Sequence, residues 1–303
     1  MKAVIKSLRI KGFIMAIQNE VRSFPNHLSN SSVSRKFQES NHGNMGFLID
    51  MDGVLYRGKE VIRGASEFIQ YLQNLDIPHL FLTNNSKPTP RDISLQLKNR
   101  LNVTVPPENI YTSAMATAEF LSSVEDGNSA FVIGEGGLLK ALDDFGFAIS
   151  EIRPDYVVIG EGRTLTIEMV EKAIDFIIAG AKFVVTNLDP SPRIPGWKKP
   201  GTAAIASMIK EATGIEPISC GKPSPILMRS ARKKIGLRTS QTIIVGDTME
   251  TDIYGGLSVG YQTILTLSGN TNIEDLVKYP YRPNTIVNTV QELVHIMEEK
   301  HLA

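Results

Sequence analysis

Short apolar runs alternate with longer stretches of helical periodicity along most of this chain, and few folds accommodate that pattern. Phe47-Leu48-Ile49, His79 to Leu82, Phe131-Val132-Ile133, Val157-Val158-Ile159, Phe183-Val184-Val185, Thr242 to Val245 and Thr263 to Leu267 are each too short for a helix. Continuous apolar runs of that length mark strands buried on both faces. Between the first two, Gly64 to Leu75 carries Phe68, Ile69, Leu72 and Leu75 at helical spacing. Thr89-Pro90-Arg91-Asp92 predicts a helix start, with a Thr cap, Pro in the first turn and an acid at the third position; Ile93, Leu97 and Leu101 follow on one face. Ser224-Pro225 opens another helix, and Thr289 to Lys300 predicts a closing amphipathic one. Strands alternating with helices predict an α/β fold with parallel sheets covered on both faces.

The polar residues sit where such a fold does its chemistry. In open α/β sheets, ligands bind just outside the carboxyl ends of the strands. The first run ends in Asp50-Met51-Asp52-Gly53, the second in Thr83-Asn84-Asn85-Ser86, and a late one in Gly246-Asp247, followed by Thr248 and Asp252. Gly221-Lys222-Pro223 sets a lysine just before a capped helix. Each piece alone reads as a turn, a helix cap or a solvated lysine. Taken in order, they form a site in which carboxylates hold a hard, oxygen-preferring cation and Lys222, Thr83 and Asn84 surround an anion with donors.

On Ile49-Asp50-Met51-Asp52-Gly53-Val54-Leu55, Leu82-Thr83-Asn84-Asn85-Ser86, Gly221-Lys222-Pro223-Ser224-Pro225 and Val245-Gly246-Asp247, the chain resembles the haloacid dehalogenase superfamily. Val158-Ile159-Gly160-Glu161 and Leu267-Ser268-Gly269 carry the likeness further, to the NagD-type phosphatases and their p-nitrophenyl phosphatase, phosphoglycolate phosphatase and pyridoxal phosphate phosphatase relatives. The resemblance spans about Gly46 to Glu299 and implies a Rossmann-like parallel-sheet core with an inserted α/β cap domain. It makes Asp50 the nucleophile and Asp52 the general acid/base. Asp52, Thr83, Asn84 and Lys222 bind the substrate. Magnesium is held by Asp50, the backbone carbonyl of Asp52, and Asp247, with Asp252 in support. The implied activity is hydrolysis of a small phosphorylated metabolite through an aspartyl-phosphate. The rival reading is phosphoryl transfer, by a mutase or phosphotransferase, on the same core. A mutase would carry a helical cap between the first two motifs, and the interval from Asp52 to Thr83 is too short for one. A homo-oligomer formed through the cap is a further expectation.

Thr83 and Lys222 are far apart, and the interval holds strands and helices enough for a small domain. The expected organisation is a flexible extension over 1–44, core over 45–124, cap over 125–217 and core again over 218–303. The extension is basic and rich in small polar residues, with Met15 and Met45 as alternative starts. Glu20 and Glu39 weaken a transit-peptide reading, and no apolar core follows the basic residues as a secretory signal requires. The loop Thr186-Asn187-Leu188-Asp189-Pro190-Ser191-Pro192-Arg193 is expected to face the site and reach only the leaving group.

Composition narrows the partners. Lys plus Arg equals Asp plus Glu at 32 each, so no net positive field draws nucleic acid or an anionic membrane. No apolar run reaches the length of a membrane span. The single cysteine, Cys220, precludes an intrachain disulfide and fits a reducing, cytoplasmic setting. Two nucleotide-binding readings fail. Gly134-Glu135-Gly136-Gly137 lacks the third glycine of a dinucleotide fingerprint, Leu139 standing in its place. Gly221-Lys222-Pro223-Ser224 lacks the upstream glycine of a P-loop, Glu216 standing there, and Pro223 splits the Lys-Ser pair. None of the five histidines falls at a motif end, so no triad or zinc site is expected.

Overall fold

A computed structural model of the chain describes residues 45–124, 126–189 and 200–299. The expected extension over 1–44 and the loop residues Pro190 to Arg193 lie outside the described residues.

The strands are β1 (Gly46–Asp50), β2 (Tyr56–Arg57), β3 (Glu60–Val61), β4 (His79–Thr83), β5 (Ile110–Thr112), β6 (Ser129–Ile133), β7 (Ala148–Ile149), β8 (Tyr156–Ile159), β9 (Lys182–Val185), β10 (Ile218–Ser219), β11 (Thr242–Gly246), β12 (Gln262–Thr266) and β13 (Thr285–Val287). The helices are α1 (Ala65–Asn74), α2 (Pro90–Leu101), α3 (Ser113–Val124), α4 (Gly136–Asp144), α5 (Ile167–Ile178), α6 (Thr202–Thr213), α7 (Pro225–Lys234), α8 (Tyr254–Ser258) and α9 (Val290–Glu299). The chain divides into two compact units. One comprises the part up to His79 and the part from Arg232 on; the other is Leu80–Ala231.

In the first unit, β13, β12, β11 and β1 are parallel neighbours, with Phe47 opposite Ile243 and Val245 opposite Ile264. Every residue of β1 and β11 is buried, which is why both read as unbroken apolar runs. Helix α1 buries Ala65, Phe68, Ile69 and Leu72, the stripe its spacing predicts. Tyr71 donates to the carbonyl of Met297 at 3.2 Å, tying α1 to α9. Between Asp52 and Thr83 lie only the β2–β3 hairpin, α1 and β4, so no large lid interrupts that stretch.

In the second unit, β4 pairs with β5, and a five-stranded parallel sheet runs β10-β9-β8-β6-β7. Its strands alternate between two apolar clusters, as period 2 requires. Ala130, Tyr156, Val158 and Val184 face one cluster with Ala114, Ala118 and Leu121 of α3 and Leu138 of α4. Phe131, Ile133, Val157, Ile159, Phe183 and Val185 face the other, with α5 and α6. The alanine face of α3 thus packs in the same cluster as the strands after it, and the compact unit is wider than the stretch 125–217. Helix α2 begins as predicted. The Thr89 hydroxyl accepts from the N–H of Asp92 at 3.2 Å, and the Asp92 carboxylate accepts from the N–H of Thr89 at 2.9 Å. The Thr89 hydroxyl, which donates to that carboxylate at 2.7 Å, and then the Thr89 N–H hold the Asp92 carboxyl below its ordinary value. No helix among the described residues is long and apolar enough to cross a membrane.

Candidate functional site

The first unit gathers acids where β1 and β11 end. Asp50 is the last residue of β1 and 9% exposed. Asp247 follows β11 and Asp252 lies in a π-helical turn, Met249–Ile253; they are 1% and 0% exposed. Carboxylate oxygens of the three lie within 4.8 Å of one another. Asp52 stands apart from this cluster in accessibility, being exposed beside the turn in which Gly53 donates to the carbonyl of Tyr56 at 2.7 Å.

Glycines make the cluster possible. Gly53 has φ 88, and a Cβ there would come within 2.1 Å of Asp247 Oδ2. A Cβ on Gly269 would come within 1.9 Å of the same oxygen, and one on Gly246 within 2.2 Å of Asp252 Cβ. With hydrogen at those positions the backbone closes in and orients the acid. The N–H of Asn270 donates to Asp247 Oδ2 at 2.6 Å, and the Thr248 hydroxyl to Asp247 Oδ1 at 2.9 Å. The N–H of Thr248 donates to Asp252 Oδ2 at 3.2 Å. Ser268 donates to the carbonyl of Gly53 at 2.7 Å, joining the two glycine loops. Gathering three carboxylates out of water is costly unless a cation offsets the repulsion. An all-oxygen, acidic donor set is what a hard divalent ion takes. These residues therefore fit a divalent metal.

The second unit carries the anion-binding candidates. Thr83 closes β4, and its hydroxyl accepts from the N–H of Asn85 at 3.0 Å. Lys222 is 3% exposed. A solvated surface lysine would not sit there, because a buried ammonium needs opposite charge. Asn84 joins separate segments. Its Nδ2 donates to the carbonyl of Lys222 at 3.0 Å and to both carboxylate oxygens of Asp189 at 3.2 Å, while Oδ1 accepts from the N–H of Lys222 at 2.8 Å. The reverse amide orientation would set oxygen against carboxylate. The carbonyl of Asn84 accepts from Ser113 Oγ at 2.6 Å and from Asn187 Nδ2 at 2.8 Å. The Asn84 carboxamide is thus engaged inside the protein. Asn187 and Asp189 of the loop after β9 reach Asn84 itself. Arg193 lies outside the described residues.

Two further side chains belong to this neighbourhood. Ser86, fully buried, accepts from the N–H of Glu161 at 2.9 Å and from the Thr186 hydroxyl at 3.3 Å. Burial and then the neighbouring Asp189 push the half-buried Glu161 carboxyl up to about 7. The stretch Val158 to Glu161 stood out only as a family likeness; nothing in its composition announces a perturbed acid.

Comparison with known proteins agrees with the geometry. Residues 47–148 match the model for haloacid dehalogenase-like hydrolases, and residues 219–293 match a second, HAD-hydrolase-like model. The chain is 41% identical to the dihydroxyacetone phosphatase of Corynebacterium glutamicum, over 84% of this chain and 93% of that one. It is 38% identical to the ribonucleotide monophosphatase NagD of Escherichia coli, over 81% and 96%. The solved structure of NagD from Escherichia coli superposes with a TM-score of 0.78 at 37% identity, covering 82% of this chain and 98% of that one. A parallel α/β fold with acids at its strand ends and these matches define the class: the chain belongs to the haloacid dehalogenase-like hydrolases. Within that superfamily it is a NagD-type hydrolase, with the Rossmann-like core and cap of that group.

Proposed function

We propose that the chain hydrolyses small sugar or triose phosphate monoesters, with magnesium, through a phosphoryl-enzyme on Asp50. It is a phosphoric monoester hydrolase; the reading adds metal, route and substrate. The observation that carries it is the buried Asp50–Asp247–Asp252 cluster at the ends of β1 and β11. Asp50, Asp247 and the carbonyl of Asp52, with Asp252 beside them, would hold a divalent ion, which would supply charge neutralisation at the phosphoryl oxygens.

The chain's own groups carry the steps. An Asp50 carboxylate oxygen attacks phosphorus in line with the ester oxygen, forming the Asp50–phosphorus bond as the ester bond breaks. Asp52 gives its proton to the departing alkoxide. It then takes a proton from the water that attacks the acyl phosphate, releasing inorganic phosphate and restoring Asp50. Its exposed position suits a group that must exchange protons between the two steps. Lys222, Thr83 and Asn84 hold the phosphoryl oxygens. Asn84 serves through its backbone N–H and by fixing the Lys222 loop, since its carboxamide is engaged elsewhere. The short interval between the first two motifs disfavours the mutase reading.

Relatives named a dihydroxyacetone phosphatase and an acid sugar phosphatase support a sugar or triose phosphate as the substrate. The setting is taken as cytoplasmic. Burial pushes the Cys220 thiol up to about 12, so it stays protonated and inert. The test is phosphate release from p-nitrophenyl phosphate and from a panel of phosphorylated metabolites, with magnesium and after chelation. Turnover that survives chelation would overturn the metal; rapid acid quench without a phosphoryl-enzyme in the wild type would overturn the route.

A further inference from the structure

The group the mechanism leaves unused is Glu161. It lies just past β8, at the carboxyl end of the five-stranded sheet of the second unit. Its backbone is pinned, because its N–H donates to Ser86 Oγ at 2.9 Å. A Cβ on Gly160 would meet that same oxygen at 2.9 Å and Leu138 Cδ2 at 2.8 Å, so the approach depends on glycine. The side chain meets Asn187 by a hydrogen bond and lies in the field of Asp189. Both those residues bond to Asn84, which bonds to Lys222. Glu161 therefore stands one residue removed from the anion-binding cluster of its own unit, on the side of the loop after β9.

We propose that Glu161 is a specificity-determining residue that faces the leaving group and sets how strongly leaving groups bearing their own negative charge are rejected. The inference rests on the phosphatase reading above and deepens it toward neutral, hydroxyl-bearing leaving groups. Glu161 lies in the field of a second acid, Asp189, with Lys87 the one cation among the described residues that acts on it, an unfavourable arrangement for packing alone. Glu135, at the start of α4, adds a further negative neighbour. Burial, Asp189 and Glu135 all favour the protonated carboxyl; Lys87 and Asn187 oppose them. The balance places its ionisation at about 7. Below that pH, Glu161 is a neutral acid that donates to and accepts from hydroxyls. Above it, Glu161 is an anion that repels a carboxylate on the leaving group.

The test compares kcat/KM for phosphoglycolate, whose leaving group is anionic, with that for glycerol phosphate, whose leaving group is neutral. Both carry the same phosphoryl group, so its own titration near pH 6 cancels in the ratio. In the wild type the phosphoglycolate-to-glycerol phosphate ratio should fall about tenfold between about pH 5.5 and about pH 8.5. In Glu161→Gln it should stay within about twofold. A flat wild-type ratio, or a fall that survives in Glu161→Gln, overturns the assignment; the wild-type arm decides even where the variant folds poorly. Wild-type turnover of p-nitrophenyl phosphate is the internal control. Its presence with the wrong ratios sinks the role of Glu161 alone, and its absence sinks the parent reading and this inference together.

Discussion

The acid cluster of the first unit and the Asn84 network of the second position functional groups by different means. Around Asp247 the backbone does the work. Gly53, Gly246 and Gly269 remove side chains so that N–H groups and carboxylates pack within ordinary hydrogen-bond reach. Around Asn84 a side chain does it, with one carboxamide and one carbonyl bonding to the Lys222 loop, α3 and the loop after β9. The first device tolerates almost no added volume but depends on few partners. The second draws segments far apart in sequence into one network, so a change in the loop after β9 is felt at Lys222. Glycine-walled acids suit a metal, whose ligand geometry must not drift. A side-chain hub suits a place where recognition of the substrate has to be coupled to its phosphoryl end.

The contrast is tested most severely at its chemical end. Asp50→Asn keeps the shape and removes the proposed nucleophile, so turnover should fall by about a thousandfold or more with the fold intact. Circular dichroism and steady-state kinetics check it, and a variant retaining a tenth of wild-type activity would end the assignment. Next in size is Gly269→Ala. The added methyl would lie 1.9 Å from Asp247 Oδ2, so the carboxylate must move. Turnover should drop roughly a hundredfold, and the magnesium concentration for half-maximal rate should rise about tenfold. If the drop comes with an unchanged magnesium requirement, Asp247 is not a ligand.

Asn84→Ala and Asp189→Ala probe the other device. Each should cost about ten- to a hundredfold, and by similar factors on p-nitrophenyl phosphate and on a matched metabolite, because both loosen the Lys222 loop. A loss confined to the metabolite would mean that Asp189 touches only the leaving group and that its bond to Asn84 is incidental. The double variant sharpens this further: losses that fail to multiply would place both residues in one network.

What the sequence disclosed follows the same division. The strand-end positions of Asp50, Asp52, Thr83 and Asp247 were legible because a buried parallel strand is a continuous apolar run that breaks off at its carboxyl end. The helix from Pro90 was legible because its capping residues are local. The strands Ile110–Thr112 and Thr285–Val287 were not, since three residues carry too little periodicity to separate from a turn. The role of Asn84 was only half legible. Its place beside Thr83 pointed to the phosphoryl group, but partners more than a hundred positions away decide what its side chain does. Gly269 and Asn270 belong to the acid cluster through distances that no spacing in the chain encodes.

The smallest expected effect concerns stability, and it sets the two units against each other through two titratable groups, buried His79 and half-buried Glu161. In the first unit His79 is held neutral: burial pulls its pKa below 6.5, against its hydrogen bond with the carbonyl of Ile77. The unfolded chain then binds a proton that the folded chain refuses, so this contribution is intact above about pH 6.5 and is lost as pH falls. In the second unit Glu161 behaves oppositely. Its folded pKa is raised from 4.5 to about 7, so the folded chain keeps a proton that the unfolded one has released. Stability from this group is therefore present at low pH and is lost as pH rises from about 4.5 through about 7. Glu161→Gln removes the alkaline loss. The variant should match the wild type near pH 5 and exceed it near pH 8.5 by on the order of 2 kcal/mol, a rise of several degrees in the thermal midpoint. His79→Gln should instead flatten the acid limb and leave the alkaline one unchanged. An alkaline gain in Glu161→Gln without any change in the pH dependence of substrate choice would separate the two consequences of this carboxyl. It would leave Glu161 a destabilising acid buried beside Asp189, and the reason for its position would have to be sought outside substrate selection.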